Sequence, residues 1–127
     1  MKRYVYCSEH KYETLNRICS DIKTEILDNL NEVAPEYKWW FYRCTDEGAG
    51  DVKVSFGVWV NWNDDDTYYP TLSETNKLFR AAVDMCSDST RNKIVKVIRA
   101  GQSGGRNRMW NIISVIVTPS TNEYYGI

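Results

Sequence analysis

From Val52 to Trp62 the chain alternates with a period of two, and this feature most constrains the fold. Val52, Val54, Phe56, Val58, Val60 and Trp62 share one parity, while Lys53, Ser55, Gly57, Trp59 and Asn61 share the other. Successive side chains of a strand point to opposite faces, so the first set is expected to be buried and the second to face solvent or a cover. With the aromatic run Tyr37 to Cys44 before it and the turn residues Asp46 to Gly50 between them, the segment reads as a β-hairpin.

The segments around this hairpin supply the remaining elements. Lys2 to Cys7 reads as a short first strand, with Ser8 placed to cap a helix. Leu15, Ile18, Cys19, Ile22, Ile26, Leu30 and Val33 then recur at three- and four-residue spacing, which predicts an amphipathic helix that Pro35 ends. After the polar loop Asn63 to Thr67, Thr71 and Glu74 fit a capping box, and Leu78, Phe79, Ala82, Val83 and Cys86 give a second helix its apolar stripe. Asn92 to Arg99 and Arg108 to Thr118 are rich in Ile and Val, and they flank a glycine-rich stretch as a second hairpin would.

The expected order is therefore β-α-β-β-α-β-β. Its first six elements match the ferredoxin-like split plan, an antiparallel sheet with two helices on one face, here with an extra C-terminal strand. At 127 residues the chain suits a single α+β domain spanning 1–127, in which 119–127 reads as a polar tail.

Composition narrows the function classes. Residues 1–75 carry 8 Lys or Arg against 14 Asp or Glu, and residues 76–127 carry 8 against 3, so a net charge of −1 conceals two halves of opposite sign. Such asymmetry marks either an interaction surface or two halves whose charges mix on folding. The N-terminus lacks the apolar run of a secretory signal, and no stretch is long and apolar enough to span a bilayer. Cys7, Cys19, Cys44 and Cys86 lack metal-ligand spacing, and with no export signal they are expected to be reduced thiols in a cytoplasmic protein. No metal and no cofactor are expected, because His10 is the only histidine and no nucleotide fingerprint is present.

Catalytic constellations are equally sparse. His10 near a helix start is best read as an exposed cap-region side chain, and Cys7 three residues earlier gives no evidence of a nucleophile and base in contact. Asp64 to Asp66 lack the glycine and distant glutamate of an EF-hand loop and read as a solvated acidic turn.

Two features point to binding. Trp40, Tyr42, Trp59 and Trp110 fall on strands, and Trp59 has the parity opposite to the core. Trp, Tyr and Arg are the residue types that dominate protein interfaces, and aromatics also stack on unpaired bases. Arg106 and Arg108 at the hairpin tip extend the same candidate surface. An alternative phosphate site comprises Arg99, Gly104, Gly105, Arg106 and Arg108, since glycines let backbone amides approach an anion. The stretch Lys53 to Val60 does not fit the third-strand signature of RNA-recognition domains, because Phe56 has the buried parity.

The leading expectation is a non-enzymatic binding protein that engages a protein partner through an aromatic-rich sheet face and a basic hairpin. In general character such a domain is similar to phage or mobile-element inhibitors of host defence systems, including anti-CRISPR proteins, although no residue carries that likeness. A single-stranded nucleic-acid or nucleotide-binding domain is the alternative, an enzyme with unrecognised machinery is a third, and a homodimer would form if a sheet edge or aromatic face stays uncovered.

Overall fold

The computed structural model describes the backbone of residues 3–4, 9–48, 50–105 and 108–118, and the side chains among these from position 17 onward except 18 and 19. Among the described residues, seven strands and three helices follow one another: β1 (Arg3–Tyr4), α1 (Glu9–Val33), β2 (Trp39–Gly48), β3 (Asp51–Trp59), β4 (Asn61–Trp62), β5 (Tyr68–Tyr69), α2 (Leu72–Asp84), α3 (Asp88–Lys93), β6 (Ile94–Gly104) and β7 (Met109–Val117). The main sheet has the order β1-β2-β3-β7-β6 with every pair antiparallel, and β4 and β5 form a separate ribbon.

The α+β class is as expected, but the strand order departs from the ferredoxin-like plan. A split arrangement places a strand between the two that a helix joins. Here α1 joins β1 and β2, which are direct neighbours, and the central place beside β3 belongs to β7, the strand expected to be an extra. The reason lies in β7 itself. Ile113, Val115 and Val117 are buried on one face and Ser114 and Ile116 on the other, which suits a central strand with both faces covered.

The core lies between this sheet and the two long helices. Ile22, Ile26 and Leu30 of α1 and Phe79, Ala82 and Val83 of α2 pack with Val52, Val54, Phe56, Val58, Ile113, Val115 and Val117. Both helices therefore use one face of the sheet. Asn29 on α1 donates to the carbonyl of Ala82 at 3.0 Å, and this bond ties the helices together.

Capping fixes the helix ends. Thr71 accepts from the Glu74 backbone N–H at 3.0 Å as the capping box requires, but the Glu74 carboxylate turns away to accept from the Tyr37 hydroxyl at 3.1 Å. Ser87 lies beyond α2, which ends at Asp84 with Met85 as its cap. It caps α3, a short helix unexpected from the sequence, and Glu25 of α1 accepts from the Ser87 N–H at 2.8 Å and the Thr90 hydroxyl at 2.5 Å. Burial alone would raise the Glu25 pKa, yet these hydrogen bonds outweigh it and hold the carboxyl below its ordinary value.

Two further expectations are revised. The alternation from Val52 persists through Val60, which is buried, but β3 ends at Trp59 and Trp62 is 52% exposed on the β4-β5 ribbon, its ring tilted against Tyr68 with centroids 4.3 Å apart. Cys44 is disulfide-bonded, so the expectation of four reduced thiols fails there and cysteine usage no longer argues for a reducing compartment. Asn63 organises the acidic loop by accepting from the backbone N–H groups of Asp65 and Thr67. Ser8, the Cys7 and His10 side chains and the 119–127 tail lie outside the described residues. No described helix is long and apolar enough to cross a membrane, and among the described residues no group of three or more His, Cys, Asp or Glu side chains is placed to hold a metal.

Candidate functional site

The sheet face away from the helices divides into two parts. Toward Lys53 it is closed: Ser55 and Ser114, opposite one another, are buried and share a 2.7 Å hydroxyl contact. Toward Trp59 it is aromatic. Trp59 faces Trp110 across the β3-β7 ladder, with ring centroids 5.3 Å apart and nearly perpendicular. Trp40 completes a trio, 5.7 Å from Trp59 and 6.2 Å from Trp110.

Two backbone devices shape this trio. Trp40 pairs with Gly57, and a Cβ at Gly57 would stand 2.4 Å from the Trp40 ring, so the glycine is what lets the indole lie across the strand. A bulge between Phe41 and Arg43 then inserts Tyr42 as an extra residue. Phe41 packs against the core, while Tyr42 projects beside Trp40 at 5.6 Å and remains 40% exposed, with the Arg43 guanidinium 4.8 Å from its ring. The indole nitrogens of Trp40 and Trp110 are buried without a hydrogen-bond partner among the described residues. Trp39, on the core side, differs: its indole donates to the Ala34 carbonyl at 3.2 Å.

Beside the trio opens a pocket of about 360 Å³, lined among the described residues by Glu36, Lys38, Trp59, Val60, Asn61, Arg108 and Met109. Its walls come from three segments joined by backbone hydrogen bonds, Trp59 N–H to the Lys38 carbonyl at 3.2 Å and Val60 N–H to the Met109 carbonyl at 2.9 Å. Arg108 is placed by the hairpin tip. Gly105 donates to its carbonyl at 2.9 Å, and Gly104 has φ +124°, where a Cβ would collide with the same carbonyl oxygen.

The structure thus gathers Trp40, Tyr42, Trp59 and Trp110 on one face, with Arg108 at its edge. Arg106 lies outside the described residues. Of the alternative phosphate set, the Gly105 amide is engaged with Arg108, and Arg99 stands exposed at a bulge in the middle of β6, five residues from Gly104 and outside the pocket lining. At about 3.3 Å per strand residue, that separation exceeds the reach of a single phosphate.

Sequence reasoning missed Glu36, Lys38, Asn61 and Met109. Glu36 and Lys38 follow Pro35, where only a loop could be read, and nothing local signals that the loop meets the start of β7. Among the described residues no nucleophile stands out on this surface. Burial, aided by the Glu25 charge, pushes the Cys86 thiol up to about 11, which keeps it protonated at neutral pH.

Comparison with protein-family models, with curated proteins and with solved structures yields no match, so the functional reading rests on this geometry.

Proposed function

We propose that this protein is a non-enzymatic binding domain that holds a protein partner through the aromatic end of its open sheet face. The observation that carries the reading is the Trp40-Trp59-Trp110 trio with Tyr42 exposed at its margin. Large aromatics held rigid before binding lose little conformational freedom on association, which is why Trp, Tyr and Arg dominate interface energetics. The tilted and edge-on packing favours this use over base stacking, since each indole already meets a neighbouring ring and a base needs a free flat face.

Affinity capture from lysate, with and without nuclease, tests the proposal when wild type is compared with Tyr42→Ala. The expected result is a protein captured equally with and without nuclease and lost at least about tenfold by the variant, the scale of a moderate hot spot. Capture that disappears with nuclease would favour nucleic-acid binding, and capture unaffected by the variant would overturn the assignment to this face. Light scattering of the purified chain detects the remaining alternative, a second copy as the partner.

A further inference from the structure

The pocket beside Trp59 holds two cations and one carboxylate, and this composition says what it should accept. Lys38 and Arg108 are exposed and form no ion pair with any described residue, although Glu36 lines the same pocket. Trp59 and Met109 supply apolar wall, and Asn61 adds an amide at the rim. The volume of about 360 Å³ lies near the lower end of ligand pockets, which range over roughly 300–1,000 Å³.

We infer that this pocket seats one carboxylate, carried by a Glu or Asp side chain on an extended segment of the protein partner; the inference rests on the protein-binding reading above. An arginine fork matches a carboxylate in bidentate fashion, and Lys38 adds a second donor. Trp59 and Met109 cover the aliphatic stem of the incoming side chain. Glu36 sets the selectivity. With it present, the charged lining residues among those described sum to a single positive charge, enough for one carboxylate and poorly suited to a phosphate dianion or a phosphodiester track, which needs a run of unopposed cations. The backbone bonds from Trp59 to Lys38 and from Val60 to Met109 hold the three segments that carry these groups together before binding.

The test uses the full ¹⁵N-labelled chain and three probes: a capped Val-Glu-Val tripeptide, its Val-Gln-Val counterpart, and a mixed-sequence single-stranded DNA decamer. Chemical shifts of the Trp59 indole and the Arg108 amide report on the pocket. The glutamate peptide is expected to shift both saturably and to bind roughly tenfold tighter than the glutamine peptide, as a charge-assisted hydrogen bond implies. Arg108→Ala should remove most of that difference, Lys38→Ala part of it, and Glu36→Gln should tighten binding about threefold by removing a like charge. Equal binding of the two peptides, or no shift at either reporter, would overturn the inference. So would tighter binding of the decamer at the same reporters. Failure here remains distinct from failure of the broader reading: capture lost in Tyr42→Ala but intact in Arg108→Ala leaves the aromatic interface standing and removes only the pocket.

Discussion

Phe56 and Gly57 are adjacent in β3, yet they serve faces organised in opposite ways. Phe56 is fully buried beneath the helices, where its ring meets Phe41 at 6.2 Å and Phe79 at 5.6 Å, each from a different element. Gly57 is buried because the Trp40 indole covers it, and that indole is braced by Trp59 and Trp110 on the same sheet. On the helix face, burial follows from layers closing on one another. On the aromatic face, it follows from side chains lying down across their own strands, and this leaves Tyr42 exposed and two indole N–H groups without partners among the described residues. The first arrangement builds stability; the second leaves an aromatic side chain, Tyr42, in solvent at its margin, as interfaces do before a partner arrives.

The largest test of this contrast is Phe56→Ala. It removes a ring shared by the sheet and α2, with an expected loss of about 3–5 kcal/mol on denaturant unfolding. A loss under about 1 kcal/mol would mean that the helix face is not the main core.

Gly57→Ala probes the other side of the same strand. The new methyl would overlap the Trp40 ring, which is hemmed in by three aromatic neighbours, so a cost of about 1–3 kcal/mol is expected together with altered tryptophan fluorescence. A variant that unfolds like wild type with unchanged emission would show that the indole moves aside freely.

The Ser55-Ser114 contact sharpens the division within the open face. Ser114→Ala alone should cost about 1–2 kcal/mol by leaving Ser55 unpaired, whereas the double change to alanine should recover much of that loss. Additive costs in a double-mutant cycle would contradict the pairing.

The smallest effect concerns pH. Burial, with the Glu74 hydrogen bond and charge, pushes the Tyr37 phenol from its ordinary 10 up to about 12. A folded-state pKa raised above the unfolded value gives stability that is complete below the unfolded pKa and lost as pH rises through the folded one. Melting temperature should therefore fall between pH 10 and about 12, and Tyr37→Phe should flatten the fall. An identical decline in the variant would assign it to other groups.

How much of this could be read in advance depended on the range of the determining interactions. The period-two alternation placed Val54, Phe56 and Val58 in the core and Trp59 opposite them, and the helical spacing placed Ile22, Ile26 and Leu30 beneath the sheet. Tyr42 was recognised by residue type, but its orientation depends on a bulge that no local pattern announces. Reading Trp62 as buried failed because alternation carries no signal of where a strand stops pairing. The Cys44 disulfide was missed because a spacing rule cannot see which side chains the fold brings together.

The sequence by itself determined the periodicities and hence the two long helices and the long strands, the core face of β3, the helix stripe and the Thr71 cap. Each depends on residues within a turn or a few strand positions of one another, where backbone geometry alone sets the neighbours. Only the tertiary structure decided that β7 and not β1 lies beside β3, that Trp40 crosses Gly57, and that Glu36 and Lys38 from the acidic half of the chain meet Arg108 from the basic half around one pocket. These outcomes turn on which long-range pairings bury the most apolar surface together, a comparison among whole arrangements that no local window contains.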